Sequence, residues 1–331
     1  MRTIAFPIKA LLLLFVLTIS VNCFAQQNDN WQKEVSGHLS LIEKERKNGI
    51  SDTSSYLSAL YELSILYYEK GQWDEVVVLS LEADSLFRQF FSSITGLHIS
   101  LLARLANAFF EQEDYYRAAS AQLEMISLEE FLFSNGSGET IDGLKIPLQT
   151  IVDDYRVFAS FTRYIPDHET TKQALKYAIK LMEENNIVDS CEYAWNIYGR
   201  LFGEYYEDPD SIDLAIYYKE KECSVFERWY GKNSKQYREE VLILEGLYNR
   251  VGLKQQELRN YNDALKAFLV CDSIFSSIGD DTSEYFFANV LNMADCLIGL
   301  GSTARALTIV EEAEPDIKKI VVKRVAYTIG L

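Results

Sequence analysis

The amino-acid sequence predicts an all-α protein built from paired helices that stack along the chain. Apolar residues recur at spacings of three and four, which is the pattern of one buried helix face. Only 5 prolines occur in 331 residues, so long uninterrupted helices are possible. The same unit, two apolar-faced segments joined by a short turn, returns several times along the chain, which is typical of a repeat architecture.

The first residues of the chain predict a signal peptide. Two basic residues precede an apolar run from Leu11 to Val21, which is shorter than the about 20 residues that span a bilayer. Small residues follow at Cys23 and Ala25, so we expect residues 1–25 to be cleaved off. A lipid anchor on Cys23 is the alternative, although Asn22 stands where a lipobox has a small residue. The mature chain is therefore expected to be periplasmic or extracellular, with no transmembrane segment.

The charge balance of the chain is strongly acidic. Its 49 acidic and 32 basic residues give a formal net charge of −17, which argues against nucleic-acid binding because phosphate backbones repel such a surface. Solubility is the ordinary interpretation of this charge. The functional interpretation is a preference for basic or cation-bridged partners.

Residues 57–87 contain a predicted helical hairpin. The first predicted helix carries an apolar face made of Leu60, Leu63, Leu66 and Tyr67. Gly71 is expected to end this helix, because glycine readily adopts the left-handed conformation, and Trp73 is expected to cover the turn. The second helix has a narrow face made of Val76, Ser80 and Ala83. Because each helix keeps an apolar face, this hairpin needs neighbours to bury it.

This hairpin resembles the tetratricopeptide repeat (TPR), a helix–turn–helix unit of 34 residues. A second copy contains Leu105–Ala106, Phe109, Tyr115 and Ala118, with Glu113 in place of the turn glycine. A copy near the end contains Met293–Ala294, Leu297, Gly301, Ala306, Val310 and Ala313. Three weaker copies are marked by Ala174 and Ala178, by Phe202–Gly203, Tyr206 and Ala215, and by a first helix ending at Gly252 before Ala264 and Phe268. About six hairpins would then cover residues 57–315.

The resemblance implies an α-solenoid, a right-handed superhelix of antiparallel helix pairs with a concave groove. We divide the chain into an N-terminal capping helix at 26–56, a first sub-array at 57–133, a loop or insertion at 134–149 and a second sub-array at 150–315. The capping helix presents Trp31, Val35, Leu39 and Ile42. The loop is either a kink between the sub-arrays or a tolerated insertion. Residues 316–331 place four basic residues among β-branched ones; they are a cap, a surface for self-association or another partner, or the start of a missing domain.

The sequence offers no motif for catalysis. The three histidines, His38, His98 and His168, are isolated from one another and lack metal-ligand spacing. We therefore expect no metal, no cofactor and no enzymatic activity. Four cysteines within apolar helix faces predict buried thiols: Cys191, Cys223, Cys271 and Cys296. Disulfides are the alternative, since export would permit them.

The predicted binding site follows from the TPR resemblance, in which first-helix positions line the groove. Transferred to this sequence, those positions are Tyr61, Ile65, Tyr68, Asn107, Phe110, Arg200, Glu204, Asn249, Arg250 and Asp295. Packing between neighbouring repeats is the other interpretation for Tyr68 and Phe110. The lysine that some family members use to hold a peptide carboxylate is missing, so that mode is not expected.

The predicted function is that of an exported, non-catalytic scaffold that binds a protein or peptide. A groove with aromatic residues suits an extended or helical segment with apolar anchors. The first alternative is the sensory array of a larger signalling protein that lacks its output domain here. A second alternative is carbohydrate binding in the cell envelope by exposed tyrosine and tryptophan rings.

Overall fold

The computed structural model describes residues 30–91, 94–136, 138–166, 168–206, 208–280 and 282–313. The predicted signal peptide at 1–25 and the segment at 316–331 lie outside these residues. Within the described ranges the chain forms helices and turns, with one isolated bridge between Glu139 and Lys145 and no named strand. The predicted all-α class is confirmed.

The chain divides into two compact units, residues 1–167 and 168–331. The described helices of the first unit are α1 at 30–47, α2 at Thr53–Tyr68, α3 at Trp73–Phe90, α4 at Gly96–Glu111, α5 at Tyr115–Ser134 and α6 at Leu148–Thr162. Those of the second unit are α7 at His168–Glu184, α8 at Ala194–Tyr206, α9 at Ile212–Tyr230, α10 at Lys235–Glu257, α11 at Tyr261–Ile278, α12 at Glu284–Gly299 and α13 at 303–313. From α2 to α6, and from α7 to α12, each helix packs against the next in sequence. This order is the stack of hairpins that the sequence predicts.

The turns that follow α2, α4, α10 and α12 each contain one residue with a positive φ value. Gly71 and Gly301 adopt positive φ values of 67° and 75°, as predicted. Glu113 and Arg259 occupy the equivalent place with φ values of 61° and 60°, although a side chain is disfavoured in this conformation. Gly71 and Glu113 are 42 residues apart, as are Arg259 and Gly301. The spacing exceeds the 34 residues of the unit that the sequence resembles.

The first hairpin is packed as predicted. Val76, Ser80 and Ala83 are buried, with exposures of 0%, 0% and 1%. The Trp73 ring lies over the turn, 3.7 Å from the position that a Cβ would take at Gly71. Small side chains on α3 therefore allow close approach of its neighbours, and the aromatic ring covers the turn between the helices.

Helix α1 packs against the first hairpin. Val35 and Ile42 belong to the same buried cluster as residues of α2 and α3. The indole nitrogen of Trp31 donates to the Leu66 carbonyl at 3.1 Å. Leu39 is 40% exposed, so it does not belong to the packed face to which the sequence pattern assigned it.

The prediction that a helix ends at Gly252 is wrong. Helix α10 continues through this residue to Glu257, and Arg259 adopts the left-handed turn conformation instead. Gly252 is buried because the Phe268 ring of α11 lies against it: a Cβ would lie 2.6 Å from Phe268 Cε1. This glycine therefore serves close packing between two helices.

Helix α8 does not follow the predicted alignment on Phe202–Gly203 and Tyr206. Leu201 and Tyr205 are buried, with 0% and 6% exposure, whereas Tyr206 is 40% exposed. The close approach to α9 occurs at Gly199, where a Cβ would lie 2.9 Å from Glu222 Cδ, and Gly203 has no neighbour within 4 Å of a Cβ. Two glycines four residues apart allow two alignments, and packing against α9 selects the first.

The loop between α5 and α6 folds onto the beginning of α4 within the first unit. Asp142 Oδ1 accepts a hydrogen bond from the Gly96 amide at 2.8 Å, and the Ile141 amide donates to the Ile94 carbonyl at 3.2 Å. The carboxylate therefore caps the amino terminus of α4, a position that favours negative charge. The loop lies inside one compact unit, and the division between units falls after Asp167.

Candidate functional site

The predicted site residues all lie on the first helices of hairpins. They are distributed over α2 and α4 in the first unit and over α8, α10 and α12 in the second. Besides its sequence neighbours, α2 also contacts α4, and α10 also contacts α12. The first helices α2 and α4 therefore lie side by side in the first unit, as do α10 and α12 in the second.

Arg104 joins the two first helices of the first unit. Tyr61, Ile65 and Tyr68 are half-buried along α2. The Arg104 guanidinium of α4 lies 4.6 Å from the centre of the Tyr61 ring and donates to Ser64 Oγ at 2.8 Å. Sequence reasoning missed Arg104, because only positions transferred from the family pattern were considered.

Tyr68 and Phe110 both take part in packing. The Tyr68 ring meets the Trp73 ring edge-on at 5.2 Å, beside the first turn. Phe110 is half-buried in an aromatic cluster, at 5.5 Å from Tyr115 and 4.9 Å from Phe161 between ring centres. Phe161 belongs to α6, so Phe110 connects one hairpin to the helix after it. Asn107 is half-buried one turn earlier on α4.

Two polar contacts tie together α8, α10 and α12. The Arg250 guanidinium lies 4.9 Å from the centre of the Tyr206 ring and donates to the Tyr206 carbonyl at 3.4 Å. Asn292 Nδ2 donates to Asn249 Oδ1 at 3.5 Å. Asn249 and Arg250 thus lie where three first helices meet, and neither Tyr206 nor Asn292 was among the predicted site residues.

The predicted residues of α8 differ in their surroundings. The Glu204 side chain is only 12% exposed, and its Oε2 lies 3.1 Å from His168 Nδ1 at the start of α7. Arg200 is half-buried. On α12, Asp295 is exposed. The structure therefore brings Asn249 and Arg250 near the contacts between first helices, while Glu204 is held against α7.

The exposed sides of α10 and α12 show a regular pattern. At spacings of three, four and three residues, α10 exposes Ile243, Gly246, Arg250 and Leu253. With the same spacing α12 exposes Ala288, Leu291, Asp295 and Ile298. We call these eight residues, together with Tyr206, the first-helix face. It combines apolar side chains with one cation on α10 and one anion on α12.

The buried histidine His98 has structural partners. His98 Nε2 lies 2.8 Å from Asp84 Oδ1, and its ring stacks on Phe87 with centres 4.6 Å apart. His38 is half-buried on α1. Across the described ranges, no group of three or more His, Cys, Asp or Glu residues is arranged to hold a metal ion.

The four cysteines predicted to carry buried thiols are all buried as thiols. Burial raises the pKa of the Cys223 thiol to about 12 and raises the pKa of Cys296 as well. The reactive species of cysteine is the thiolate, so these thiols are held in the unreactive form. The interpretation of the cysteines as packed apolar residues agrees with this arrangement.

None of the helices in the described part of the chain combines the length and hydropathy needed to cross a lipid bilayer.

Comparison with known proteins gives similar folds but no sequence relative. No protein-family model matches the chain, and no curated protein does. The solved structures similar to it include the apo form of RapI, which is 14% identical over 86% of this chain and 99% of that chain, with a TM-score of 0.39. BtubC from P. vanneervenii is 13% identical over 88% and 92% of the two chains, with a TM-score of 0.34.

A third similar structure is the complex of the TPR2AB domain of yeast Sti1 with pHSP90, 13% identical over 83% of this chain and 96% of that chain, with a TM-score of 0.30. In this chain itself, successive helices pack as hairpins, and left-handed residues close their turns. Small residues of the second helices, such as Ala83, Ala118 and Ala264, are buried. These features give the chain a TPR-like fold of stacked helix hairpins.

Proposed function

We propose that this chain is an exported, non-catalytic scaffold that binds a protein or peptide through its first-helix face. The observation that carries the proposal is the exposure of apolar side chains on adjoining helices. Leu291 and Ile298 are 51% and 54% exposed on α12, and Ile243 is 44% exposed on α10. Apolar residues that share one face of packed neighbouring helices are typical of an interaction surface.

The charges of the face suggest how a partner is oriented. Arg250 and Asp295 stand among the apolar residues of their helices. A bound segment would place apolar anchors against Leu253, Leu291 and Ile298, an acidic group near Arg250 and a basic group near Asp295. Apolar anchors supply most of the affinity in such interfaces, whereas charges select the partner and its direction.

Export and self-association belong to the same proposal. The composition of residues 1–25 supports cleavage and transport out of the cytoplasm. The acidic scaffold would then meet its partner outside the cytoplasm. The basic and β-branched residues of 316–331 support a further contact, with another copy or with the partner. Light scattering of the 26–331 chain against a chain ending at 313 measures that association directly.

The function is tested by affinity capture from cell-envelope extract with the 26–331 chain. A double variant, Leu291→Ser with Ile298→Ser, removes two apolar side chains from the face. Leu214→Ser is the matched control, because Leu214 is 43% exposed on α9. We expect a protein that is recovered by the wild-type and control chains and lost from the double variant.

A photocrosslinker at position 295 then shows whether the recovered protein touches the face. Crosslinking at 295 and not at 214 supports the proposal. Equal recovery with all three chains would move binding away from the first-helix face.

A further inference from the structure

A polar cavity of about 410 Å³ lies within the second unit, among α7, α8 and α9. Helix α9 contributes Lys221, Ser224 and Arg228 to its wall. These residues are three and four positions apart, so they share one side of the helix. The cavity has the size of a small-molecule site, and nothing in the proposed scaffold function uses it.

The cavity exists because the connection from α7 to α8 is long. Residues 185–193 form a nine-residue connection, whereas residues 112–114 join α4 to α5. Backbone hydrogen bonds order this connection: the Ile187 amide donates to the Met182 carbonyl and the Cys191 amide to the Ile187 carbonyl, both at 2.9 Å. Asn186 and Asp189 of this connection are exposed and line the cavity together with residues of α9.

Tyr198 of α8 lines the cavity from within the core. Its side chain is 1% exposed, and no hydrogen bond of its hydroxyl group is found among the described residues. Burial is the main cause that raises the pKa of Tyr198, and the charge of Glu183 adds to it. The neutral hydroxyl group is thus available as a donor to a ligand in the cavity that Tyr198 lines.

Two acidic and two basic side chains line the cavity, and only one acid and one base form an ion pair with each other. Arg228 forms an ion pair with Asp189. Lys221 and Glu183 line the same cavity, and neither has an ion-pair partner within the described part of the chain. The Lys221 ammonium instead lies 5.4 Å from the centre of the Tyr217 ring. The site therefore offers one cation and one anion to a ligand.

We propose that this cavity binds a small zwitterion, a free amino acid or a short peptide with both termini charged. Its carboxylate would lie against Lys221 and its ammonium group against Glu183, while the Tyr198 hydroxyl donates a hydrogen bond to it. Ser224 and Asn186 supply further polar contacts. The hydrogen-bonded connection and the buried tyrosine give the site its shape before a ligand arrives, which lowers the cost of binding.

Titration calorimetry on the 26–331 chain tests the proposal, with glycylglycine as the first probe and the common amino acids as a panel. N-acetylglycine and glycinamide each lack one of the two charges. We expect saturable binding of at least one zwitterion and roughly tenfold weaker binding of the singly charged probes, since a hydrogen bond to a charged group contributes about that factor.

Three variants locate the binding. Lys221→Gln and Glu183→Gln should each weaken the best zwitterion by roughly tenfold, and Tyr198→Phe by roughly fivefold, because each removes one polar contact. Lys235→Gln is the control. The Lys235 side chain is 86% exposed at the start of α10, and it does not line the cavity. Thermal unfolding without ligand checks that all four variants are folded.

No saturable binding across the panel would overturn the proposal and leave a solvent-filled cleft only. Binding that is unchanged in Lys221→Gln and Glu183→Gln would overturn it as well. Because the probes are small and the variants lie outside the first-helix face, failure here is separable from failure of the scaffold function.

Discussion

Two glycines on helix α10 have opposite roles. A Cβ at Gly252 would meet three atoms of the Phe268 ring at 2.6–2.9 Å. A Cβ at Gly246 would meet nothing within 4 Å. One glycine is required by packing against α11, and the other costs helix stability without any packing reason in this chain.

We therefore expect Gly252→Ala to lower the free energy of unfolding by about 1–3 kcal/mol, because the Phe268 ring has to move. Gly246→Ala should raise it by about 0.5–1 kcal/mol, since alanine favours the helix. Urea unfolding followed by circular dichroism measures both. Equal stabilisation by the two substitutions would mean that the contact between α10 and α11 is looser than described.

A second residue-scale feature is a pair of buried carboxyl groups between α5 and α6. Glu129 is 2% exposed, and its Oε2 has no hydrogen-bond partner. Asp154 Oδ1 accepts from Gln122 Nε2 at 3.0 Å. Burial, and then the charge of Asp154, raises the pKa of Glu129 to about 9, and burial raises that of Asp154 to about 6. Glu129 is thus protonated at neutral pH.

The raised pKa of Glu129 makes stability depend on pH. The folded state keeps a proton that the unfolded state releases above its ordinary pKa of 4.5, so this contribution is fully present at acid pH and is lost as pH rises to about 9. We expect Glu129→Gln to be more stable than wild type at pH 8 by about 1–3 kcal/mol, because the amide needs no proton. Melting temperatures from pH 5 to 9 test this: the wild type should decline more steeply than the variant. Parallel curves would show that Glu129 is ionised in the folded chain.

At the scale of helices and turns, a left-handed turn residue carries a conformational cost unless it is glycine. Glu113 has a φ of 61°, which disfavours a side chain. We expect Glu113→Gly to stabilise the chain by about 0.5–1 kcal/mol and Gly301→Glu to destabilise it by a similar amount. Calorimetry of the two reciprocal variants provides the check. Destabilisation by both would indicate that the Glu113 side chain contributes more than its backbone costs.

Helix α13 packs closely against α12 at the end of the described residues. Ala306 is 3% exposed and clusters with Ala294 and Leu297 of α12. Ala306→Leu should overpack this contact and cost about 1–3 kcal/mol. Ala304→Leu is the control, because Ala304 is exposed and a surface change usually stays within about 0.5 kcal/mol. An unchanged unfolding midpoint for Ala306→Leu would contradict the packing of α13 on α12.

Most helix pairs could be predicted from the sequence because their signals are local. Apolar spacing and a turn residue defined the hairpins around Gly71, Glu113 and Gly301. The boundary at Gly252 could not be predicted, since glycine is equally suited to ending a helix and to admitting a ring from its neighbour. Which of Gly199 and Gly203 faces α9 is likewise decided by packing between helices.

The candidate surface was predictable only in part. Family positions led to Asn249, Arg250 and Asp295, but the partners Tyr206 and Asn292 lie on other helices. Contacts such as Arg250 with Tyr206 join residues 44 positions apart, and a helical pattern carries no information about them. The cavity beside Tyr198 was missed for the same reason.

At the scale of the whole molecule, stability should be a sum of local terms. In each unit a helix packs on its neighbours in sequence, which is the condition under which repeat arrays behave additively. We expect the effects of Glu113→Gly, in the first unit, and Ala306→Leu, in the second, to add within about 0.5 kcal/mol. Urea titrations of the single and double variants measure the sum. A larger deviation would reveal coupling between distant hairpins.

The described cysteines are distributed unevenly: Cys191, Cys223, Cys271 and Cys296 all belong to residues 168–313, and the described residues of 30–166 contain none. A thiol reagent therefore records the opening of one half of the described chain and ignores the other. Tryptophans Trp31 and Trp73 lie in the half without thiols. Labelling each thiol against time, with mass spectrometry to identify it, would give the order in which the α7–α8 connection and helices α9, α11 and α12 open to solvent, without any engineered substitution.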